Sequence, residues 1–150
     1  MKTLKKLLAT VLLLVTVLTA VTSCYTVGGG GHITIVVAGD TTEEYGIWLE
    51  NVNEGGLIAA LDYLENAGRL SYTSEDAGYG AYLTEVGNLK QDAVARKYIY
   101  IWTSVEKDFD VSAYATTVEY KGKSLTSCGV GASFMTLEDG AVIYISYVEY

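Results

Sequence analysis

The chain contains no proline, one histidine and two cysteines among 150 residues, and each shortage removes a class of function. Without proline there is no PxxP ligand motif and no polyproline spacer. The single histidine, His32, leaves neutral-pH chemistry short of its usual general base, and no motif supplies it with a serine or cysteine partner. Basic residues are also scarce, 10 Lys and Arg against 18 Asp and Glu. Neutralisation of phosphates by Lys and Arg supplies much of nucleic-acid affinity, so no nucleic-acid partner is expected.

What the chain does contain is concentrated first at its start. Lys2, Lys5 and Lys6 precede an apolar run from Leu7 to Val21, which ends in Val21-Thr22-Ser23-Cys24. A basic start, a hydrophobic segment and small residues before the cut are the marks of a secretory signal peptide. A cysteine at the cut adds lipoprotein processing, in which the thiol receives a diacylglycerol and the chain is cleaved just before it. Residues 1–23 then read as the signal and Cys24 as the lipidated first residue of a protein held on the outer face of the cell membrane. Plain secretion with cleavage elsewhere and an uncleaved anchor are the alternatives. The run is short for an anchor, since it contains Thr10, Thr16 and Thr19 and a spanning helix needs about 20 apolar residues.

Removal of residues 1–23 takes three lysines, leaving 7 basic against 18 acidic side chains and a formal charge of −11. Such a charge favours solubility and opposes adsorption to anionic headgroups. It also leaves Cys128 as the one thiol not used by lipid, which reads as a small buried hydrophobe rather than a nucleophile. A Cys24–Cys128 disulfide belongs only to the plain-secretion reading. Residues 24–31 hold four consecutive glycines, Gly28 to Gly31, and read as a flexible tether. Residues 32–150 are long enough for one domain with its own core.

Within that domain the hydrophobic period changes twice. Ile33-Thr34-Ile35-Val36-Val37 is a β-branched run ending at Ala38-Gly39-Asp40, a strand and a turn. A second strand is expected over 45–50. Leu57, Leu61 and Leu64, with Ile58 and Ala60, then fall at helical spacing, predicting one main helix over about 55–67 that ends at Gly68. Beyond it the period returns to two, predicting strands over 70–73, 79–86, 98–103, 116–120, 124–127 and 142–148, with turns at Lys121-Gly122-Lys123 and Glu138-Asp139-Gly140. The class is therefore α+β, a mixed or antiparallel sheet packed on one helix. In Tyr98-Ile99-Tyr100-Ile101-Trp102 the rings share one face and the isoleucines the other; the rings either pack under the helix or form a stacking surface for a ligand.

Three chemical motifs fail on inspection. Asp108-Phe109-Asp110-Val111-Ser112, with Glu119 at the twelfth position, imitates a calcium loop but carries Ala113 where the sharp turn needs glycine. Gly129-Val130-Gly131 lacks the third glycine of a dinucleotide fingerprint, its place being taken by Phe134. The many carboxylates show no pair at a defined separation, as glycoside hydrolysis would require. No catalytic residue, metal site or cofactor is expected.

The order of several elements resembles a known family. The helix from Gly55-Gly56-Leu57, the segment Gly78-Tyr79-Gly80-Ala81-Tyr82-Leu83, the strand Tyr98 to Trp102 and the closing Glu138-Asp139-Gly140-Ala141-Val142 are similar to the domain of unknown function related to the C-terminal β domain of transcobalamin and intrinsic factor. That resemblance covers residues 32–150 and implies a β-grasp-like fold, exported lipoproteins as the setting and a ligand such as a cobalamin-like compound. Tyr82, Tyr100 and Trp102 are then the candidate stacking residues. The expected function is non-catalytic binding of a small ligand; the alternative is an interaction module for a surface protein or envelope polymer.

Overall fold

The computed structural model describes residues 30–149; the expected signal segment, residues 1–23, and Cys24 lie outside them. The strands are β1 (His32–Ala38), β2 (Thr42–Trp48), β3 (Tyr72–Asp76), β4 (Ala81–Val86), β5 (Leu89–Lys90), β6 (Lys97–Thr103), β7 (Thr117–Tyr120), β8 (Lys123–Ser127) and β9 (Val142–Glu149), with one α-helix, α1 (Gly56–Asn66). Six strands form a sheet in the order β2-β1-β9-β6-β8-β7, and β3-β4-β5 form a small antiparallel sheet. The β1–β9 pair is parallel and every other pair of the large sheet antiparallel. The fold is thus mixed α+β.

Helix α1 buries Leu57, Ala60, Leu61 and Leu64 completely, the i, i+3, i+4, i+7 stripe that amphipathic spacing dictates. It packs on Ile33, Ile35 and Val37 of β1, Ile99 of β6 and Ile143 and Ile145 of β9. Burying each leucine contributes about 1.5 to 3 kcal/mol. The helix starts without a side-chain cap, Gly55 and Gly56 both having positive φ. At Gly56 a Cβ would stand 2.7 Å from the Ala132 carbonyl oxygen, so glycine lets the 132–135 turn approach the helix. At the other end the Gly68 N–H donates to the Glu65 carbonyl and the Arg69 N–H to that of Leu64, a Schellman motif around left-handed Gly68.

The rings of β6 do not pack under the helix; its isoleucines do. Trp102 lies on the opposite face of the sheet with Val36, Leu125 and Val142, and Tyr100, Val118, Tyr120, Tyr144 and Val148 pack around them. This second core is covered because β8 pairs with β6 only at Trp102 and Thr103, after which the β7–β8 hairpin swings across the aromatic face. Its tip is a two-residue turn, Lys121 and Gly122, both at positive φ, as a tight hairpin demands. The tip reaches β2 at the far edge of the sheet, where Glu44 accepts hydrogen bonds from the Tyr120 hydroxyl and from Lys121 Nζ, the latter at 2.6 Å.

Candidate ligand-binding cleft

The site is built by two glycine-bearing loops brought together backbone to backbone. Gly78 and Gly80 before β4 have positive φ, which only glycine tolerates cheaply. A Cβ on Gly131 would fall 2.6 Å from the Tyr79 carbonyl oxygen and 2.7 Å from Gly80 Cα. Side chains at Gly80 or Gly131 would force the loops apart.

Between the loops lies a cleft with a narrow inner part and a wide mouth. The inner part, about 130 Å³, is lined by Tyr82 and Leu83 of β4, by Ile99 to Ile101 of β6, and by Cys128 and Ala132. The mouth, about 570 Å³, adds Tyr79, Val130 and Phe134. Tyr79 is 82 % and Phe134 67 % exposed, an apolar rim of the kind that marks ligand or partner sites. The Tyr82 hydroxyl donates to the Gln91 side-chain carbonyl, which fixes the ring at the wall.

Of the three predicted stacking residues, the structure brings Tyr82 and Tyr100 to this cleft and leaves Trp102 outside it. Trp102 is 5 % exposed, and its indole N–H donates to the Thr116 hydroxyl at 3.0 Å. Its ring stands edge-on to Tyr100 and Tyr144, with centroids 5.3 and 6.1 Å away. Tyr100 therefore borders the cleft while its ring props the second core.

Cys128 sits at the junction of the cleft's two parts. Burial pushes its thiol up and outweighs the opposing effect of the weak bond from Sγ to the Val130 carbonyl, with a smaller upward push from the Asp108 charge. The thiol form is thus held against the reactive thiolate. Asp108 itself is buried and accepts from the Thr136 N–H at 2.5 Å and hydroxyl at 3.1 Å. It ties the turn after β6 to the strand-like segment that follows Phe134. His32 packs edge-on against Trp48, centroids 5.0 Å apart, far in sequence and chain path from Cys128. Among the described residues no group of His, Cys, Asp and Glu is arranged to hold a metal ion. Val130, Gly131 and Phe134 escaped sequence reasoning as site residues; the paired Gly-Tyr-Gly and Gly-Val-Gly segments were the signal that two backbones meet here.

No family model matches the chain, and no curated protein sequence matches it. Several solved structures share its fold, including the two that follow. Haptocorrin in complex with Cbi is similar over 84 % of this chain with a TM-score of 0.58 and 12 % identity; the matched part is 27 % of haptocorrin. A "putative metal binding protein" from Ruminococcus gnavus ATCC 29149 is similar over 80 % of this chain and 98 % of its own, with a TM-score of 0.52 and 18 % identity.

Proposed function

We propose that this chain is a non-catalytic ligand-binding module of the transcobalamin-like, β-grasp-like kind, exported and held at the outer membrane face by lipid on Cys24. The observation that carries the binding reading is the open cleft with Tyr82 on its wall and Tyr79, Val130 and Phe134 at its mouth. Tyrosine and phenylalanine there offer flat apolar area, with hydroxyls for polar contact. The likeness to haptocorrin in complex with Cbi supports a cobalamin-like compound as the first ligand to try, and the Ruminococcus gnavus protein makes metal ions a control. A second reading, capture of a surface protein or polymer, is favoured by the exposure of Tyr79 and Phe134, since a small ligand leaves little use for rings standing so far out.

Thermal-shift titration of the purified protein tests the binding reading. A true ligand at 100 times its dissociation constant adds about 2.7 kcal/mol to stability, and Tyr82→Ala weakens that gain. Failure of corrinoids, haem, sugars, metal ions and peptides alike to shift the transition would overturn it. The anchor is tested separately: Cys24→Ala abolishes lipid labelling and membrane retention, and unchanged retention refutes lipidation as the anchor.

A further inference from the structure

The two parts of the cleft differ in what they can hold. The inner part, about 130 Å³, is close to the roughly 150 Å³ of an apolar cavity that accepts one benzene ring, so it takes a single apolar side chain rather than a macrocycle. Beyond it Tyr79 and Phe134 stand out from the mouth, and the loop behind Gly129 exposes Val111 and Tyr114 as well. A group confined to the inner part leaves these rings bare, which favours an occupant that continues over the rim.

The charge around the cleft has one sign. Among the described residues no Lys, Arg, His, Asp or Glu lines either part, but a carboxylate stands behind each wall. Asp76 precedes Ala77 of one wall, and its Oδ1 accepts the Gly78 N–H at 2.9 Å. Asp110 backs the other wall: a Cβ on Gly129 would stand 2.9 Å from Asp110 Cα, and the carboxylate accepts from the Ser112 N–H and hydroxyl at 2.8 and 3.0 Å. A third, Asp108, is buried, takes the Gly129 N–H on its backbone carbonyl at 2.8 Å, and acts on the Cys128 thiol at the junction of the two parts. The ion pairs among the described residues join Lys90 to Glu85, Lys107 to Glu138 and Lys121 to Glu44, and none includes Asp76, Asp108 or Asp110. Negative potential over low-dielectric walls concentrates cations, and a ring face attracts a cation within about 6 Å of its centre.

From this geometry we propose that the cleft takes a basic segment of another polypeptide. One apolar side chain enters the inner part, and a Lys or Arg on either side of it lays its stem over Tyr79 or Phe134 with its charge toward Asp76 or Asp110. Long basic side chains suit such a rim because an apolar stem and a charged head meet two surfaces at once. A second copy of this chain is a poor occupant, since its excess of carboxylates meets carboxylates of the same sign. A free polyamine answers the charge but leaves the inner part unfilled. The inference rests on the reading of the cleft as the binding site and narrows its occupant.

The test is backbone-amide NMR titration of the purified protein with three blocked tripeptides, lysine-phenylalanine-lysine and its glutamine and glutamate counterparts, and with spermine and a corrinoid. The expected result is saturable binding of the lysine peptide that shifts the amides of Gly80, Val130 and Gly131. It binds about tenfold tighter than the glutamine peptide, the scale of two exposed charge pairs, and the glutamate peptide does not bind. Asp76→Asn and Asp110→Asn, which each keep an acceptor oxygen for the loop, weaken the lysine peptide about threefold apiece and leave the glutamine peptide unchanged. Glu119→Gln, an equal loss of charge on exposed β7, changes neither. Equal affinity of the lysine and glutamine peptides, shifts confined to other surfaces, a Glu119→Gln effect as large as that of Asp76→Asn, or spermine binding as tight as the lysine peptide overturns the inference. A corrinoid that shifts the same amides where peptides do not sinks the basic segment and leaves the cleft standing; silence from every ligand sinks both.

Discussion

Tyr45 and Tyr72 place their phenols beside carboxylates, and each is pushed up to about 12, by burial first and then by hydrogen bonding to Glu43 and Asp62 respectively. An unfolded tyrosine ionises near 10, so folding favours the neutral phenol. The resulting stability is fully present below about pH 10 and is lost as pH rises from there through 12. Tyr45→Phe should flatten the fall of stability over that window, read by urea unfolding at pH 9 and pH 11.5 and by ultraviolet tyrosinate titration. Asp108 contributes through its hydrogen bonds to Thr136 instead. Asp108→Ala leaves the half-buried Thr136 N–H and hydroxyl without an acceptor and should cost about 1 to 3 kcal/mol, measured by chemical denaturation; an unchanged midpoint would show that water replaces the carboxylate. Neither role was legible in the sequence. Asp108 stood out only as the first residue of a failed calcium loop, and Tyr45 only as a strand residue, because each depends on a partner that the fold supplies.

At the scale of elements, the helix carries the readable part of the fold. Its leucine stripe is visible as spacing, its end as Gly68, and the structure returns both. Leu61→Ala should cost about 2 to 5 kcal/mol with a cavity left under the sheet, while Leu70 and other partly buried neighbours set where in that range it falls; thermal unfolding gives the value. The β6 pattern was readable by halves. Alternation showed that the rings share a face, but the choice of face follows from β1 and β9, whose Ile33, Ile35, Ile143 and Ile145 take the helix side. The isoleucines of β6 must join them, which sends Trp102 to the other side. Short β5 and the turn at Ala132–Phe134 carry too few residues for any period to appear, and that turn lines the cleft.

In the whole molecule the β7–β8 hairpin and Glu44 turn an open six-stranded sheet into a curled one, joining its two edge strands. The Glu44 carboxyl is held below the usual range by the Lys121 ammonium and the Tyr120 hydroxyl, so the tie is present above that range and loosens as pH falls through the lowered value. Because the pair is exposed and such pairs contribute little, acid should leave the melting temperature nearly constant while speeding hydrogen exchange in residues 117–127. Uniform exchange across both cores under acid would refute a local effect. The cleft itself showed in the sequence only through Tyr82, Tyr100 and two glycine-bearing segments, because it joins residues near 80, 99 and 130 through two loops that have no shared period.

The order of strands has a consequence for how the protein is made. β9, which follows every other strand along the chain, sits at the centre of the large sheet between β1 and β6, and its pairing with β1 spans more than a hundred residues. Until it emerges, β1–β2 and β6–β8 are separate ribbons with no shared core, and non-local pairing of this kind is slow to form. A chain cut before Val142 should remain unfolded by circular dichroism. A nascent copy consequently stays threadable until β9 has been made, the extended state that the proposed export would require of it.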